Sequence, residues 1–285
     1  MPPRAELPLG VFDSGLGGLT VVGALGRVLP RERFLYLGDT ARVPYGTRSA
    51  ETIVRYSRGC ARVLVERGIK ALIIACNTAS AVSVEMLRAE LDLPVLGVIE
   101  PGAQAAARAA EQNAEQHGVL AKIGVLGTQG TIASGAYPRA VSQISSRLEV
   151  VGQPAPLLVP LVEEGWTEGE VPRLAVRRYL TPLIEAGAGV IVLGCTHYPL
   201  LRGLIEQEAA ALAGRRVPVV DSAHATAAQV EDWIEQGRIE AAPPGEAALL
   251  NELLVTDLPA SFEAVAGRFL DGTLPPVTQI DLTSG

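Results

Sequence analysis

The sequence predicts an α/β fold: two similar doubly wound domains with mainly parallel sheets, and an active site in the crevice between them. Three observations carry this expectation. Short apolar runs alternate with longer helical stretches along most of the chain. The runs are apolar at every position instead of every second one, so helices cover both faces of each strand, as in parallel sheets. The pattern also begins again near Ile123, after a break at Glu100-Pro101-Gly102.

Leu9-Gly10-Val11-Phe12 has strand length, and Gly17 to Val28 reads as the helix behind it. Phe34-Leu35-Tyr36-Leu37 is the next strand. Ser49 to Glu66 follows as a long helix with apolar positions at Ile53, Val54, Cys60, Ala61 and Leu64. Strand Ala71 to Ala75, helix Ser80 to Leu91 and strand Val95 to Val98 continue the alternation. After the break comes a helix rich in Ala and Gln. Ile123-Gly124-Val125-Leu126-Gly127-Thr128 then resembles the first strand and its turn, and Val190 to Thr196 resembles Ala71 to Asn77. Gly10 and Cys76 are 66 residues apart, Gly124 and Cys195 71, so two near-equal units are the simplest account. Val217 to Ser222 gives a further strand and Ala223 to Gln236 a helix. A Pro-rich link (Ala242-Pro243-Pro244-Gly245), a strand at Leu249 to Val255 and a helix at Pro259 to Leu270 complete the chain. This tail is too short to stand alone and is expected to return to the first unit. The expected domains are residues 1–100 plus 217–285, and 101–216.

Composition narrows the function. With 285 residues the chain buries a sizeable core without disulfide staples. Hydrophobic residues at 48% and charged residues at 19% are ordinary for a globular protein. A net charge of −7 disfavours an electrostatic hold on nucleic acid or an anionic membrane. No apolar run reaches membrane-span length, and the first residues show no apolar signal core. Cys60, Cys76 and Cys195 are the only cysteines, too few for a disulfide framework, and read as reduced thiols of a cytoplasmic protein. Of the 24 basic residues only Lys70 and Lys122 are lysines.

Ligands of open parallel sheets sit at the carboxyl ends of the strands. Asp13-Ser14-Gly15-Leu16-Gly17-Gly18 follows the first strand, and its glycines let backbone N–H groups approach an anion. It lacks the lysine of a phosphate loop, and a plain capped turn is the competing reading. Asp39-Thr40 and Pro44-Tyr45-Gly46 follow the second strand. The latter is a tight turn that could bring N–H groups and a phenol to a small anion, or an ordinary surface turn.

Cys76-Asn77-Thr78 and Cys195-Thr196-His197 form the strongest pair, because each puts a thiol at the end of a buried strand and before a helix. A helix N-terminus favours the thiolate, so both thiols are expected to have lowered pKa values. A lone buried cysteine is usually inert, which is the expectation for Cys60. His197 lies two residues from Cys195, and in an extended segment that spacing points both side chains the same way. Zinc binding by two cysteines and a histidine is the rival, but no ligand spacing supports it. His117 and His224 read as surface or cap residues. Glu163, in Leu161-Val162-Glu163-Glu164-Gly165, could orient His197 or hold an ammonium group, though most acidic pairs are merely solvated.

Two thiols facing one pocket suit inversion of a stereocentre, one taking the α-proton of a small amino acid and the other delivering a proton to the opposite face. A pyridoxal cofactor would need a Schiff-base lysine. Lys70 and Lys122 both precede buried strands, at the wrong end of the sheet.

Taken together, Asp13-Ser14-Gly15-x-Gly17-Gly18, Pro44-Tyr45-Gly46, Cys76-Asn77-Thr78-Ala79, Pro160-Leu161-Val162-Glu163 and Gly194-Cys195-Thr196-His197-Tyr198-Pro199 resemble the motif set of the bacterial glutamate racemases, in the aspartate/glutamate racemase superfamily. The resemblance implies two catalytic acid/base cysteines, Cys76 for D-glutamate and Cys195 for L-glutamate. It implies that Asp13 assists Cys76, and that Glu163 and His197 assist Cys195. It implies substrate contacts from Asp13, Ser14, Pro44, Tyr45, Gly46, Asn77, Thr78, Thr128, Thr131, Thr196 and His197. It further implies no cofactor, no metal, a homodimer, and a supply of D-glutamate for peptidoglycan. The thiols alone do not separate glutamate from aspartate or a hydantoin as substrate. A non-catalytic two-lobed amino-acid-binding protein is the rival from another class, and a zinc hydrolase is the third.

Overall fold

The apolar runs become strands of two sheets, and every strand pair among the described residues is parallel. The structure is a computed structural model that describes residues 3–118, 120–245, 250–260, 262–270 and 274–282. The first unit contains β1 (Leu9–Asp13), α1 (Leu19–Val28), β2 (Phe34–Gly38), α2 (Ala50–Glu66), β3 (Ala71–Ile74), α3 (Asn77–Glu90) and β4 (Val95–Gly97). The second contains α4 (Ile99–His117), β5 (Lys122–Gly127), α5 (Gln129–Ala133), α6 (Ala136–Ile144), β6 (Val150–Pro154), α7 (Leu158–Glu163), α8 (Glu170–Glu185), β7 (Ala188–Gly194), α9 (Arg202–Ala213) and β8 (Val219–Asp221). Helix α10 (Ser222–Glu235) leads back, and β9 (Leu250–Val255), α11 (Phe262–Ala266) and β10 (Val277–Gln279) complete the first unit.

The sheets run β10-β9-β2-β1-β3-β4 and β6-β5-β7-β8. Four strands of the first follow the same order as the four of the second, with β1 equivalent to β5 and β3 to β7. The internal likeness of Gly10 and Gly124, and of Cys76 and Cys195, is therefore a likeness of position in the fold.

Side-chain alternation explains the unbroken apolar runs. In β3, Ala71 and Ile73 enter a core shared with α1, while Leu72 and Ile74 face the opposite core with residues of α2 and α3. In β7, Ile191 and Leu193 join the first of these cores, and Val190 and Val192 pack with α4 and α6. The core on the α1 side also takes in Leu158, Leu161, Val176 and Leu180 of the second unit, so it runs through both. Helix α4 buries Ala103, Ala106, Ala107 and Ala110, small residues at helical spacing that let it lie close against β7.

Several boundaries differ from expectation. The strand at 219–221 pairs with β7, so it belongs to the second sheet, and the return to the first unit falls after Asp221 and not at 217. The cause is register: an apolar run bounded by polar residues looks the same whichever sheet receives it. Glu100-Pro101-Gly102 forms the first turn of α4, where a proline needs no intrahelical donor, so the chain changes unit there without a break. Helix α3 starts at Asn77, three residues earlier than expected, and α11 covers only 262–266. Residue 249 of the expected strand lies outside the described residues.

At the amino end of the first sheet, Lys70 is buried and its Nζ lies 2.6 Å from Glu32 Oε2. It also donates to the carbonyls of Ala5 and Glu240, tying the chain start and the link after α10 to β3. Both lysines lie opposite the strand ends that carry the thiols, since Lys122 begins β5 and pairs with Glu149. Removing one partner of a buried pair strands the other charge. Lys70→Ala is expected to cost about 3–5 kcal/mol of folding stability, read as a lowered urea midpoint.

Candidate active site

Cys76 is the residue before α3, in extended conformation at φ −66° and ψ 119°. Its Sγ accepts the Ala79 N–H at 3.4 Å and lies 3.6 Å from Ser14 Oγ. The expectation of a lowered pKa is reversed here. Burial pushes the thiol up to about 12, the nearby Asp13 charge adds to this, and the Ala79 N–H and Ser14 offset only part of it. One N–H at a helix end does not replace the lost water. Cys76 is thus a neutral thiol at pH 7.

Asp13 ends β1 fully buried, and its Oδ2 accepts the Gly15 N–H at 3.1 Å. Burial raises its pKa, while His197 and the N–H groups of Gly18, Gly15 and Ser14 pull the other way. Its Oδ1 has no hydrogen-bond partner among the described residues.

Cys195 follows β7 in the position equivalent to Cys76. The segment 195–197 is a turn and not extended, with His197 in helical conformation. The turn still brings His197 Nδ1 to 3.9 Å from Cys195 Sγ and 3.4 Å from Thr196 Oγ1. On the far side of the ring, Nε2 lies 3.1 Å from Glu163 Oε1 at the end of α7. Burial alone would push the His197 pKa down. Hydrogen bonds to Cys195 and Glu163, and their charges, outweigh it and raise the value to about 10. The two thiols therefore sit in unlike surroundings: Cys76 near a carboxylate, Cys195 beside an imidazolium.

Both thiols line one cavity of about 30 Å³. Its other walls are Ser14, Val43, Pro44, Tyr45, Gly46, Asn77, Thr78, Thr128, Val159, Thr196 and His197. Of the residues expected to touch a substrate, Asp13 and Thr131 do not reach the cavity wall. Thr131 is buried behind it, within 3.2 Å of Thr78 Oγ1 and 3.0 Å of Thr128 Oγ1. The Tyr45 phenol also departs from expectation. It is turned away, donating to Asp39 Oδ2 at 2.5 Å and lying 4.0 Å from Cys60 Sγ, so the turn offers backbone and not a hydroxyl. Cys60 is buried with its pKa raised by desolvation, an inert thiol that does have a polar neighbour. Val43 and Val159 were missed as wall residues, since an apolar side chain in a loop or short helix carries no chemical signal. His224 is a helix-end residue paired with Asp221 at 3.0 Å, and the His117 side chain lies outside the described residues.

The units meet here across glycines. A Cβ on Gly17 would overlap Thr196 Oγ1 and sit 2.5 Å from His197 Nδ1. One on Gly46 would lie 2.8 Å from Thr128 Cβ, and one on Gly130 3.0 Å from Thr78 Cγ2. Hydroxyls fasten the seam: Thr78 to Thr128 at 2.8 Å, and Thr20 Oγ1 donating to the Thr196 carbonyl at 3.1 Å. A larger cavity, about 770 Å³, opens near Thr20 and Phe269 and holds neither thiol. Phe269 meets the His197 ring edge-on at 5.2 Å. No group of His, Cys, Asp and Glu among the described residues is arranged to hold a metal ion. None of their helices is long and apolar enough to cross a membrane.

A two-lobed α/β protein that brings one thiol from each lobe to a single cavity has, by class, an ionisable sulfur from each half of the molecule at one site. Comparison with known proteins gives the class its family. The sequence profile of the Asp/Glu/Hydantoin racemase family matches residues 20–230. A glutamate racemase of Geobacter metallireducens is 47% identical over 282 residues, 99% of this chain and 98% of that protein. The crystal structure of glutamate racemase from Thermus thermophilus in complex with β-chloro-D-alanine superposes with a TM-score of 0.82 at 39% identity, covering 99% of both chains. That of Francisella tularensis in complex with D-glutamate gives 0.86 at 31%, covering 99% of this chain and 100% of the other. The chain belongs to the Asp/Glu/Hydantoin racemase family and is an amino-acid racemase, an isomerase.

The His197 pKa carries a stability prediction. Its folded value, about 10, lies above its ordinary 6.5, so the folded state binds the proton more tightly. The stabilisation is complete below pH 6.5 and is lost as pH rises through about 10. The difference in urea midpoint between the wild type and His197→Gln is expected to shrink across that range.

Proposed function

We propose that the protein interconverts L- and D-glutamate by two-base proton transfer, without cofactor or metal. Cys195 takes the α-proton of L-glutamate as a thiolate. The C–H electron pair passes into the adjacent carboxylate, giving a planar carbanion. Cys76 then delivers its S–H proton to the opposite face, leaving D-glutamate, a Cys195 thiol and a Cys76 thiolate. D-glutamate reverses every step. The observation that supports this most is that thiols from equivalent strand ends of the two lobes border one cavity.

Supporting roles follow from the geometry. Cys76 as a neutral thiol is a proton donor, the form needed for the L-to-D direction. His197, held by Glu163, supplies positive charge beside Cys195. Asp13 faces the opposite requirement: its charge disfavours a Cys76 thiolate, and it acts from behind the cavity wall. Ser14, Asn77, Thr78, Thr128 and Thr196, with the backbone of Pro44-Tyr45-Gly46, are the groups for the carboxylates and the ammonium.

The domain assignment implied by the sheets, a cytoplasmic location, a homodimer and a supply of D-glutamate for peptidoglycan belong to the same reading. All three thiols are free, as a reducing compartment requires.

The deciding experiment is a chirality-resolved assay of L-glutamate against L-aspartate with no added cofactor or metal. Glutamate is expected to racemise the faster, and a preference for aspartate overturns the substrate assignment. Replacing either thiol, Cys76→Ala or Cys195→Ala, is expected to lower racemisation by about 10²–10⁴-fold or more while the protein stays folded. In deuterated water the product should carry solvent deuterium at Cα. Full turnover by either variant, or complete retention of the original hydrogen, overturns the two-base mechanism.

A further inference from the structure

We propose that Tyr137, on α6 of the second lobe, is a positioning residue of the site: its hydroxyl holds the Asn77 amide of the first lobe so that the NH2 group faces the cavity as a donor to a substrate carboxylate. The inference rests on the racemase reading above and adds a residue that no motif in the sequence marks.

Tyr137 is 2% exposed, and its hydroxyl donates to Asn77 Oδ1 at 2.8 Å. Asn77 is equally buried and lines the cavity between the thiols. With Oδ1 occupied, Nδ2 is the amide group left over, and it has no partner among the described residues. A buried amide nitrogen without a partner is costly, and such groups persist where something arriving will satisfy them. A carboxylate is the acceptor that a free NH2 group fits.

The rest of the chain makes room for this phenol. A Cβ on Gly102, in the first turn of α4, would lie 3.2 Å from the Tyr137 oxygen. One on Gly194, at the end of β7, would lie 3.3 Å from its ring. Burial raises the phenol's pKa, so it remains a donor at any pH near neutral. Because donor and acceptor belong to different lobes, the amide is locked only when the lobes are together. The lock thus ties substrate grip to closure.

The test is a double-mutant cycle. Tyr137→Phe removes only the hydroxyl; Asn77→Ala removes the group on which it acts. Racemisation of L-glutamate gives KM and kcat for the wild type, both single variants and the double variant, with D-glutamate affinity by calorimetry as a second readout. Tyr137→Phe is expected to raise KM and Kd about tenfold, the worth of one hydrogen bond to a charged group. The change in kcat should stay within about twofold, since the lost interaction serves ground and transition states alike. In the Asn77→Ala background the same substitution should change Kd less than about twofold.

Effects that multiply in full, or an unchanged Kd for Tyr137→Phe, overturn the proposal. A purely structural role would persist without Asn77, so the cycle separates the two. Should Tyr137→Phe not fold, 3-fluorotyrosine at 137 keeps the ring and strengthens the donor. Kd must then change with Asn77 present and not with Asn77→Ala. A wild type inert toward glutamate would instead sink the substrate reading, and the cycle would be run on L-aspartate.

Discussion

The site depends on a close seam between two lobes, with no space for side chains at three points along it. Gly17 lies where any Cβ would strike Thr196 and His197, Gly46 faces Thr128, and Gly130 faces Thr78. Only at that spacing do Cys76 and Cys195 border the same small volume. The repeat supplies the raw placement, since β3 and β7 are equivalent strands and each thiol follows within two residues of its strand. The glycines convert that equivalence into opposition. The Asp13-Ser14-Gly15-Leu16-Gly17-Gly18 segment therefore has a packing duty beside any anion contact: its glycine at 17 admits the Cys195-Thr196-His197 turn of the other lobe.

A cavity of about 30 Å³ has room for one or two waters by that measure and not for a five-carbon diacid. Substrate access on the proposed reading thus requires the seam to part, or the loop over Val43 to Gly46 to move. The fastenings are modest. They are hydroxyl contacts, from Thr78 to Thr128 and Thr131, from Thr20 to the Thr196 carbonyl and from Tyr137 to Asn77, each worth about 1 kcal/mol net. The core that runs through both units contains the stronger cohesion, and it reaches the seam at Leu16, Leu19 and Cys195. The loop is anchored from behind, because Asp39 accepts from both Tyr45 and Thr256 and so fixes the turn to the end of β9.

Much of the fold and of the site was legible because burial writes simple patterns. Strands covered on both faces must be apolar throughout, which exposed β1, β3, β5 and β7. Polar residues directly after such runs, Asp13, Cys76 and Cys195, stand out against them. What could not be read depends on direction and competition. Nothing in Pro44-Tyr45-Gly46 says which way the phenol turns, and its partner Asp39 is identified only by the fold. The beginning of α3 was obscured because Asn77, Thr78 and Ser80 are residues that usually precede a helix. Here Ser80 Oγ donates to the Ile74 carbonyl, anchoring the helix to the strand it follows. The sign of the Cys76 shift required knowing that burial exceeds the help of one backbone N–H. Tyr137 left no trace, since an aromatic in an amphipathic helix is most often only core.

The unlike surroundings of the two thiols pose a constraint of their own. L- and D-glutamate have the same free energy in water, so on the proposed reaction kcat/KM must be equal in the two directions. A neutral Cys76 near Asp13 and a Cys195 facing His197 cannot make one direction intrinsically more efficient. On the proposed reaction the free enzyme has two protonation forms, and each enantiomer needs one of them. On that reading the form with its proton on Cys76 accepts L-glutamate and leaves as the opposite form, which accepts the D enantiomer. On the proposed reaction, differences between the enantiomers must therefore appear in kcat and KM separately and cancel in their ratio.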